Sequence, residues 1–108
     1  MKKLLFSFVL GAMAMNAMAQ AMSPAAKEAH TRSLQCLSKY SAQLDDGVSN
    51  VETIAKVVAN SCREESVRFV DIWTAGVVVD KQAILSKVLT SNVESASFYI
   101  LSNRASKK

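Results

Sequence analysis

The sequence predicts an all-α fold: a small three-helix bundle with one interhelical disulfide, left after removal of a signal peptide. Three observations support this prediction. The chain of 108 residues contains only one proline and three glycines, and such scarcity favours few turns and long helices. Apolar residues recur at helical spacing in three successive segments. The only two cysteines fall in the first two of these segments, where a disulfide would join neighbouring helices.

The N-terminal residues have the three-part layout of a secretory signal peptide. Residues 1–3 are a basic start, residues 4–15 are mostly apolar, and Ala17 and Ala19 place small side chains at both positions that a signal peptidase reads. We therefore expect a signal peptide over residues 1–19, cleaved after Ala19. The alternative is an uncleaved anchor, but the apolar run is shorter than the about 20 residues of a spanning helix.

Export would determine the location and the class of partner. We expect a periplasmic or secreted, soluble protein of a bacterial envelope, with a single helical domain over residues 20–104 and a basic flexible tail over residues 105–108. No cysteine lies near the cleavage site, so a lipoprotein is not expected. The exported chain would carry eleven Lys and Arg against nine Asp and Glu, a net charge of +2. A charge this small argues against nucleic acid as a partner.

Cys36 and Cys62 are expected to form a structural disulfide. Exported compartments are oxidising, and an even pair of cysteines in a small domain favours a bridge. Redox-active pairs are usually close in sequence, as in Cys-x-x-Cys, whereas this pair is 26 residues apart. In the chain-entropy model, closing this loop stabilises the fold by roughly 3–4 kcal/mol.

The first helix and the turn after it are predicted from local signals. Ser23 is a favourable N-cap, and Pro24 suits the first helical position. Asp45, Asp46 and Gly47 end this helix, because Asp and Gly are typical of interhelical turns. A calcium loop is rejected for this segment, since the EF-hand ligand spacing fails after Gly47.

The second helix is predicted to begin at a capping box and to continue to Trp73. Ser49 is the expected N-cap, with Glu52 three residues later reaching back to it. A second possible box, from Ser61 to Glu64, could mark a kink or a restart. We favour a continuous helix, because the apolar stripe passes through this point in phase.

The segment after Gly76 is predicted to be a connector. The three consecutive valines, Val77, Val78 and Val79, favour extended backbone. A single strand would have no partner in this chain, so an irregular connection is expected instead. Asp80 then serves as the N-cap of the third helix.

The sequence lacks the residue sets that catalysis or metal binding requires. His30 is the only histidine, and the usual metal sites need three or four ligands. Glu64 and Glu65 are adjacent, so on a helix their side chains diverge. No serine lies in Gly-x-Ser-x-Gly and no phosphate-binding glycine loop is present. We therefore expect no enzymatic activity, no cofactor and no metal.

The functional hypothesis is a protein-binding module of the chaperone, adaptor or inhibitor type. Three helices of this length cannot bury every large apolar residue of the chain, and an uncovered apolar patch favours a protein partner or a homodimer face. The position of the aromatic residues on or beside the apolar stripes favours the simpler interpretation, that they belong to the core. The candidate partner-binding patch comprises Phe69, Trp73, Val77, Val78 and Val79.

The alternative hypothesis is an envelope-surface or lipid-associated protein. Arg104, Lys107 and Lys108 form a basic C-terminal end that could contact anionic lipid. Three such charges contribute about 3 kcal/mol at most, so we expect membrane-surface contact to be weak.

Overall fold

The computed structural model describes residues 22–107, and within this range the chain is all-α with no strand. The predicted signal peptide, residues 1–19, lies outside the described residues, as does Lys108. The all-α class is confirmed. No helix in the described range is both long and apolar enough to cross a membrane. The helices are α1 (Pro24–Leu44), α2 (Val51–Ser61), α3 (Arg63–Trp73) and α4 (Lys81–Ser106).

Two helix starts follow the local signals. The Ser23 hydroxyl accepts a hydrogen bond from the Ala26 amide at 3.1 Å, and Pro24 opens α1. The Asp80 carboxylate accepts from the Ala83 amide at 3.1 Å at the start of α4. Each cap satisfies an amide that has no partner within its own helix.

The N-cap of α2 is Asn50, and the prediction of Ser49 was wrong. The Asn50 side-chain oxygen accepts from the amides of Glu52 and Thr53 at 2.9 and 3.3 Å. The Ser49 hydroxyl instead donates to the carboxylate of Asp46, which also accepts from the Ser49 amide. This turn engages Ser49 in its own hydrogen bonds, so the cap moves one residue along the chain.

The predicted second helix is two helices, α2 and α3, separated by Cys62. At this residue the backbone departs from helical geometry, with φ −102° and ψ 11°. The Cys62 amide donates to the carbonyls of both Val58 and Ala59, a tightening towards 3₁₀ geometry that is common at helix ends. The Ser61 hydroxyl donates back to the Val57 carbonyl, so it does not cap α3.

The disulfide between Cys36 and Cys62 is present and joins α1 to the junction of α2 and α3. The two Cα atoms are 5.9 Å apart, within the range that a disulfide spans. Cys62 is fully buried. The bridge therefore fixes the break between α2 and α3 against the middle of α1.

The core consists of two apolar clusters that share α1 and α4. One joins the C-terminal half of α1, α2 and the C-terminal half of α4; its buried members are Leu37, Ile54, Ala55, Val58, Cys62, Ala96 and Ile100. The other joins the N-terminal half of α1, α3 and the start of α4; its buried members are Ala26, Ala29, Phe69, Val70 and Leu85. The break at Cys62 thus lets α2 and α3 pack on different halves of the same two long helices.

The segment between α3 and α4 is an irregular connector, as predicted. It lies between Trp73 and Lys81 and turns at Gly76, whose φ is +78°. This left-handed value suits a residue without a Cβ atom.

The last helix is longer than predicted at its C-terminal end. It continues to Ser106 and so includes two residues of the predicted tail, residues 105–108.

Candidate functional site

The connector exposes a continuous run of apolar side chains. Val77, Val78 and Val79 are 56, 104 and 42% exposed, and Trp73, at the end of α3, is 44% exposed. We call these four residues the connector surface. Neither core cluster includes the three valines.

Phe69, the fifth residue of the predicted patch, lies beneath the connector surface. It is buried in the second core cluster. Its ring stacks on that of Trp73, with centroids 5.4 Å apart and planes 12° apart. Phe69 therefore supports Trp73 from below, while the indole keeps one side available to solvent.

A cleft opens beside this aromatic pair, between α1, α3 and α4. Its volume is about 330 Å³, within the usual range for small-molecule sites. We call it the Trp73 cleft. Four side chains form its apolar walls, and five supply polar or basic groups. The apolar residues are Phe69, Trp73, Ile84 and Val88; the others are His30, Ser33, Lys87, Ser91 and Asn92.

The inner end of the Trp73 cleft is a buried polar layer between the two core clusters. The Ser66 hydroxyl donates to the Cys62 carbonyl at 3.3 Å and accepts from the Asn92 amide nitrogen at 2.6 Å. The Ser33 hydroxyl lies 3.5 Å from the same oxygen. Because the Ser66 proton goes to Cys62, Asn92 must present its NH₂ group to Ser66. The side-chain carbonyl oxygen of Asn92 makes no hydrogen bond within the described residues.

The electrostatic character of the Trp73 cleft is basic. Among the described residues that line it, His30 and Lys87 are basic and none is acidic. Neither side chain forms a salt bridge within residues 22–107. The His30 ring instead lies against Phe69, with centroids 5.1 Å apart. An anionic group on a bound molecule would therefore meet basic side chains that have no carboxylate partner.

No protein family, curated protein or solved structure matches this chain. Within the described range, no three His, Cys, Asp or Glu side chains come together as a possible metal site. The described residues thus present two surface features: an exposed apolar connector, and a cleft lined by apolar and basic side chains.

The opposite end of the molecule holds the strongest ion pair. Arg104 donates from Nε and Nη2 to the Asp45 carboxylate, and Asp46 lies 3.9 Å away. The hydrogen bond from Arg104, followed by that from the Gly47 amide, lowers the pKa of Asp45. The pKa of Arg104 is raised by the same pairing. Arg104 is thus engaged within the fold and is not a free charge of the basic tail.

Of the two carboxyl groups in the α1–α2 turn, Asp46 has the pKa that is lowered more. Hydrogen bonds from the Ser49 hydroxyl and amide, and then from the Val48 amide, lower the pKa of Asp46 from 3.8 to about 2. These donors favour the ionised carboxylate. The turn therefore depends on negative charge at Asp46.

Sequence reasoning missed the Trp73 cleft, because its residues come from three helices. His30 was considered in the sequence only as a possible metal ligand. One local signal was available: Ile84, Lys87, Val88 and Ser91 recur at the i, i+3, i+4, i+7 spacing of one helix face. The opposing wall could not be known without the position of α3.

Proposed function

We propose that this protein is an exported, disulfide-stabilised binding module that engages a protein partner through the connector surface. The observation that supports this most directly is the exposure of Val77, Val78 and Val79 beside a half-exposed tryptophan. Contiguous exposed apolar residues are typical of interaction sites. Tryptophan is among the residues most enriched at the energetic centres of interfaces.

The anchoring of Trp73 supports the same proposal. Its stacking on the buried Phe69 ring restricts the indole before any partner binds. A side chain that is already ordered loses less conformational entropy on association. The connector valines add apolar area next to it, and β-branched side chains have few rotamers to lose.

Site-specific photocrosslinking tests this proposal. A photoreactive amino acid replaces Val78 in the full-length chain, and a matched variant carries it at Lys56, an exposed residue of α2. We expect discrete crosslinked species from position 78 in envelope extracts and none of the same mass from position 56. Equal patterns from both positions, or no product from position 78, would contradict the proposal.

The same experiment separates the kinds of binding module. One stoichiometric partner indicates an inhibitor or adaptor, whereas many products indicate a chaperone. A crosslinked species at twice the mass of the chain indicates a homodimer, which analytical ultracentrifugation checks independently. A chaperone would also suppress aggregation of client proteins, measured by light scattering at acid and neutral pH.

The envelope-surface alternative has weaker support. Arg104 is held by Asp45, so of the described residues only Lys107 remains as a tail charge outside the ion pairs. Each basic residue contributes about 1 kcal/mol near an anionic membrane. Sedimentation with anionic vesicles at moderate salt tests this alternative, and no co-sedimentation would exclude it.

A further inference from the structure

We propose that the Trp73 cleft binds a small amphipathic carboxylate, a role beyond the protein binding proposed for the connector surface, with which the cleft shares Trp73. The apolar body of the ligand lies against Phe69 and Trp73 on one side and the α4 side chains on the other. Its carboxylate lies at the opening, within reach of the basic groups. The cleft has the size of a small-ligand site and walls of the expected composition, mostly apolar with a few polar groups.

The charge of the ligand follows from the residues at the opening. His30 on α1 and Lys87 on α4 both line the cleft, and the described residues lining it include no Asp or Glu. Asp71 on α3 lies between the cleft residues Phe69 and Trp73 in sequence. Its carboxylate is paired with Lys81, with a nitrogen–oxygen distance of 3.8 Å. Glu94 on α4 lines a neighbouring depression with Lys87 but is not within salt-bridge distance of it. Charge complementarity therefore favours an anion over a cation or a neutral molecule.

The polar inner end of the cleft offers the ligand one further hydrogen-bond acceptor. Asn92 is 7% exposed and lines the cleft, and its side-chain carbonyl oxygen accepts no hydrogen bond within the described residues. A ligand that carries a hydroxyl or amide group on its apolar body would satisfy this acceptor. Among the described side chains, only the Ser41 hydroxyl oxygen is buried without a partner, so the Asn92 oxygen stays accessible to solvent. A hydrogen bond from the ligand would replace one from water there and would add selectivity more than affinity.

Trp73 makes this proposal directly measurable. It is the only tryptophan of the chain, and it lies in the cleft wall. Its fluorescence therefore reports changes at this wall, and the variants described below assign such a change to the cleft. The probes are octanoate, 1-octanol and octylammonium, which share one chain and differ in head-group charge. The protein is the exported product of the full-length chain, purified with its disulfide intact.

We expect saturable binding of octanoate, about tenfold tighter than that of 1-octanol, from the charge-assisted contacts at the opening. Octylammonium should bind more weakly than either. The comparison is stringent, because non-specific adsorption to apolar surface favours the less polar octanol. Equal or tighter binding of octanol would overturn the charge assignment, and no saturable binding of octanoate would overturn the site.

Matched variants locate the site. Lys87→Gln should remove most of the preference for octanoate over octanol, whereas Lys56→Gln, which removes the same charge on α2, should leave it unchanged. Ser91→Phe should weaken all three probes by filling the cleft. Circular dichroism confirms that each variant is folded. An unchanged preference in Lys87→Gln would overturn the proposal. Crosslinking from Val78 should be unaffected by Lys87→Gln, so failure of the ligand site and failure of the protein-binding proposal remain distinguishable.

Discussion

Arg104 in the last turn of α4 binds Asp45 at the end of α1 through Nε and Nη2, with a closest nitrogen–oxygen distance of 2.7 Å. The two residues are 59 positions apart in sequence. The Asp45 side chain is only 3% exposed, and that of Arg104 is 23% exposed. Arg104 also donates to the Ser49 carbonyl at 2.8 Å. One guanidinium therefore joins the end of α4 to both sides of the α1–α2 turn.

Substitution of Arg104 should destabilise the fold even when its charge is kept. Arg104→Lys loses the fork of donors that matches a carboxylate, so it should lower the melting temperature by a few degrees. Arg104→Gln should lower it further, because Asp45 then loses its cation. The measurement is thermal unfolding at neutral pH. Lys107→Gln, which removes a neighbouring exposed charge, is the control and should leave the melting temperature unchanged. Equal effects of the Arg104 and Lys107 variants would contradict a specific role for the pair.

The stability of the protein should fall in acid because of the turn carboxyls. Asp46 has a pKa of about 2 in the folded protein against 3.8 ordinarily, and the pKa of Asp45 is also lowered. A lowered folded-state pKa contributes stability that is complete above the unfolded value and is lost as the pH falls through the folded one. The contribution of these two carboxyl groups to the free energy of unfolding should therefore be nearly constant above pH 5. It should decrease between about pH 4 and pH 2.

Urea unfolding measured across this acid range tests the assignment. Asp46→Asn should flatten the pH dependence, since the variant has no carboxyl at that position to protonate. Asp71→Asn is the matched control, because Asp71 is an exposed carboxyl of α3; it should leave the slope between pH 4 and pH 2 as in the wild type. If Asp46→Asn and wild type lose stability with the same slope, the turn does not carry the acid sensitivity.

Helix starts in this chain were predictable where the cap is local. Ser23 and Asp80 each accept from an amide three residues along, so the signal lies within four consecutive residues. Asn50 was missed because a tertiary network decides between it and Ser49. Asp46 engages Ser49 in the turn, and Arg104 from the far end of the chain binds the Ser49 carbonyl. No pattern near Ser49 contains that information.

The sequence left a break near Cys62 open and did not reveal the Trp73 cleft. The possible capping box from Ser61 to Glu64 allowed a restart, but the apolar periodicity favoured one helix. The apolar stripe crosses Cys62 in phase, so its periodicity is the same for one helix or two. In the folded protein a buried polar layer lies at this break, where Ser66 bonds to the Cys62 carbonyl and to Asn92. That layer, like the Trp73 cleft beside it, exists only when three helices are packed together. The disulfide was predictable, because an even pair of widely spaced cysteines in a small domain favours a bridge without knowledge of the packing.

The disulfide should be a principal source of stability. Reduction opens the loop between Cys36 and Cys62 and should lower the free energy of unfolding by roughly 3–4 kcal/mol in the chain-entropy model. Urea unfolding with and without reductant measures this loss. Reduced wild type keeps both sulfur atoms, so comparison with the Cys36→Ala/Cys62→Ala variant measures the packing contribution of the two thiols together, of which Cys62 is fully buried. The double variant should be the less stable of the two. Identical unfolding of the oxidised and reduced proteins would show that the bridge does not stabilise the fold.

Replacement of Ser41 by alanine should stabilise the fold. The serine side chain is fully buried in α1, and its hydroxyl oxygen has no hydrogen-bond partner within the described residues. A buried hydroxyl without a partner costs about 1–3 kcal/mol in lost solvation, and alanine also has the higher helix propensity. Ser41→Ala should therefore raise the free energy of unfolding by about 1 kcal/mol, measured by urea denaturation.

Ser33→Ala is the matched control from the same helix. Ser33 is also buried, but its hydroxyl lies 3.5 Å from the Ser66 hydroxyl, so this variant should be neutral or destabilised. A destabilised Ser41→Ala would mean that the hydroxyl at position 41 has a partner, such as a buried water, that offsets the cost of its burial.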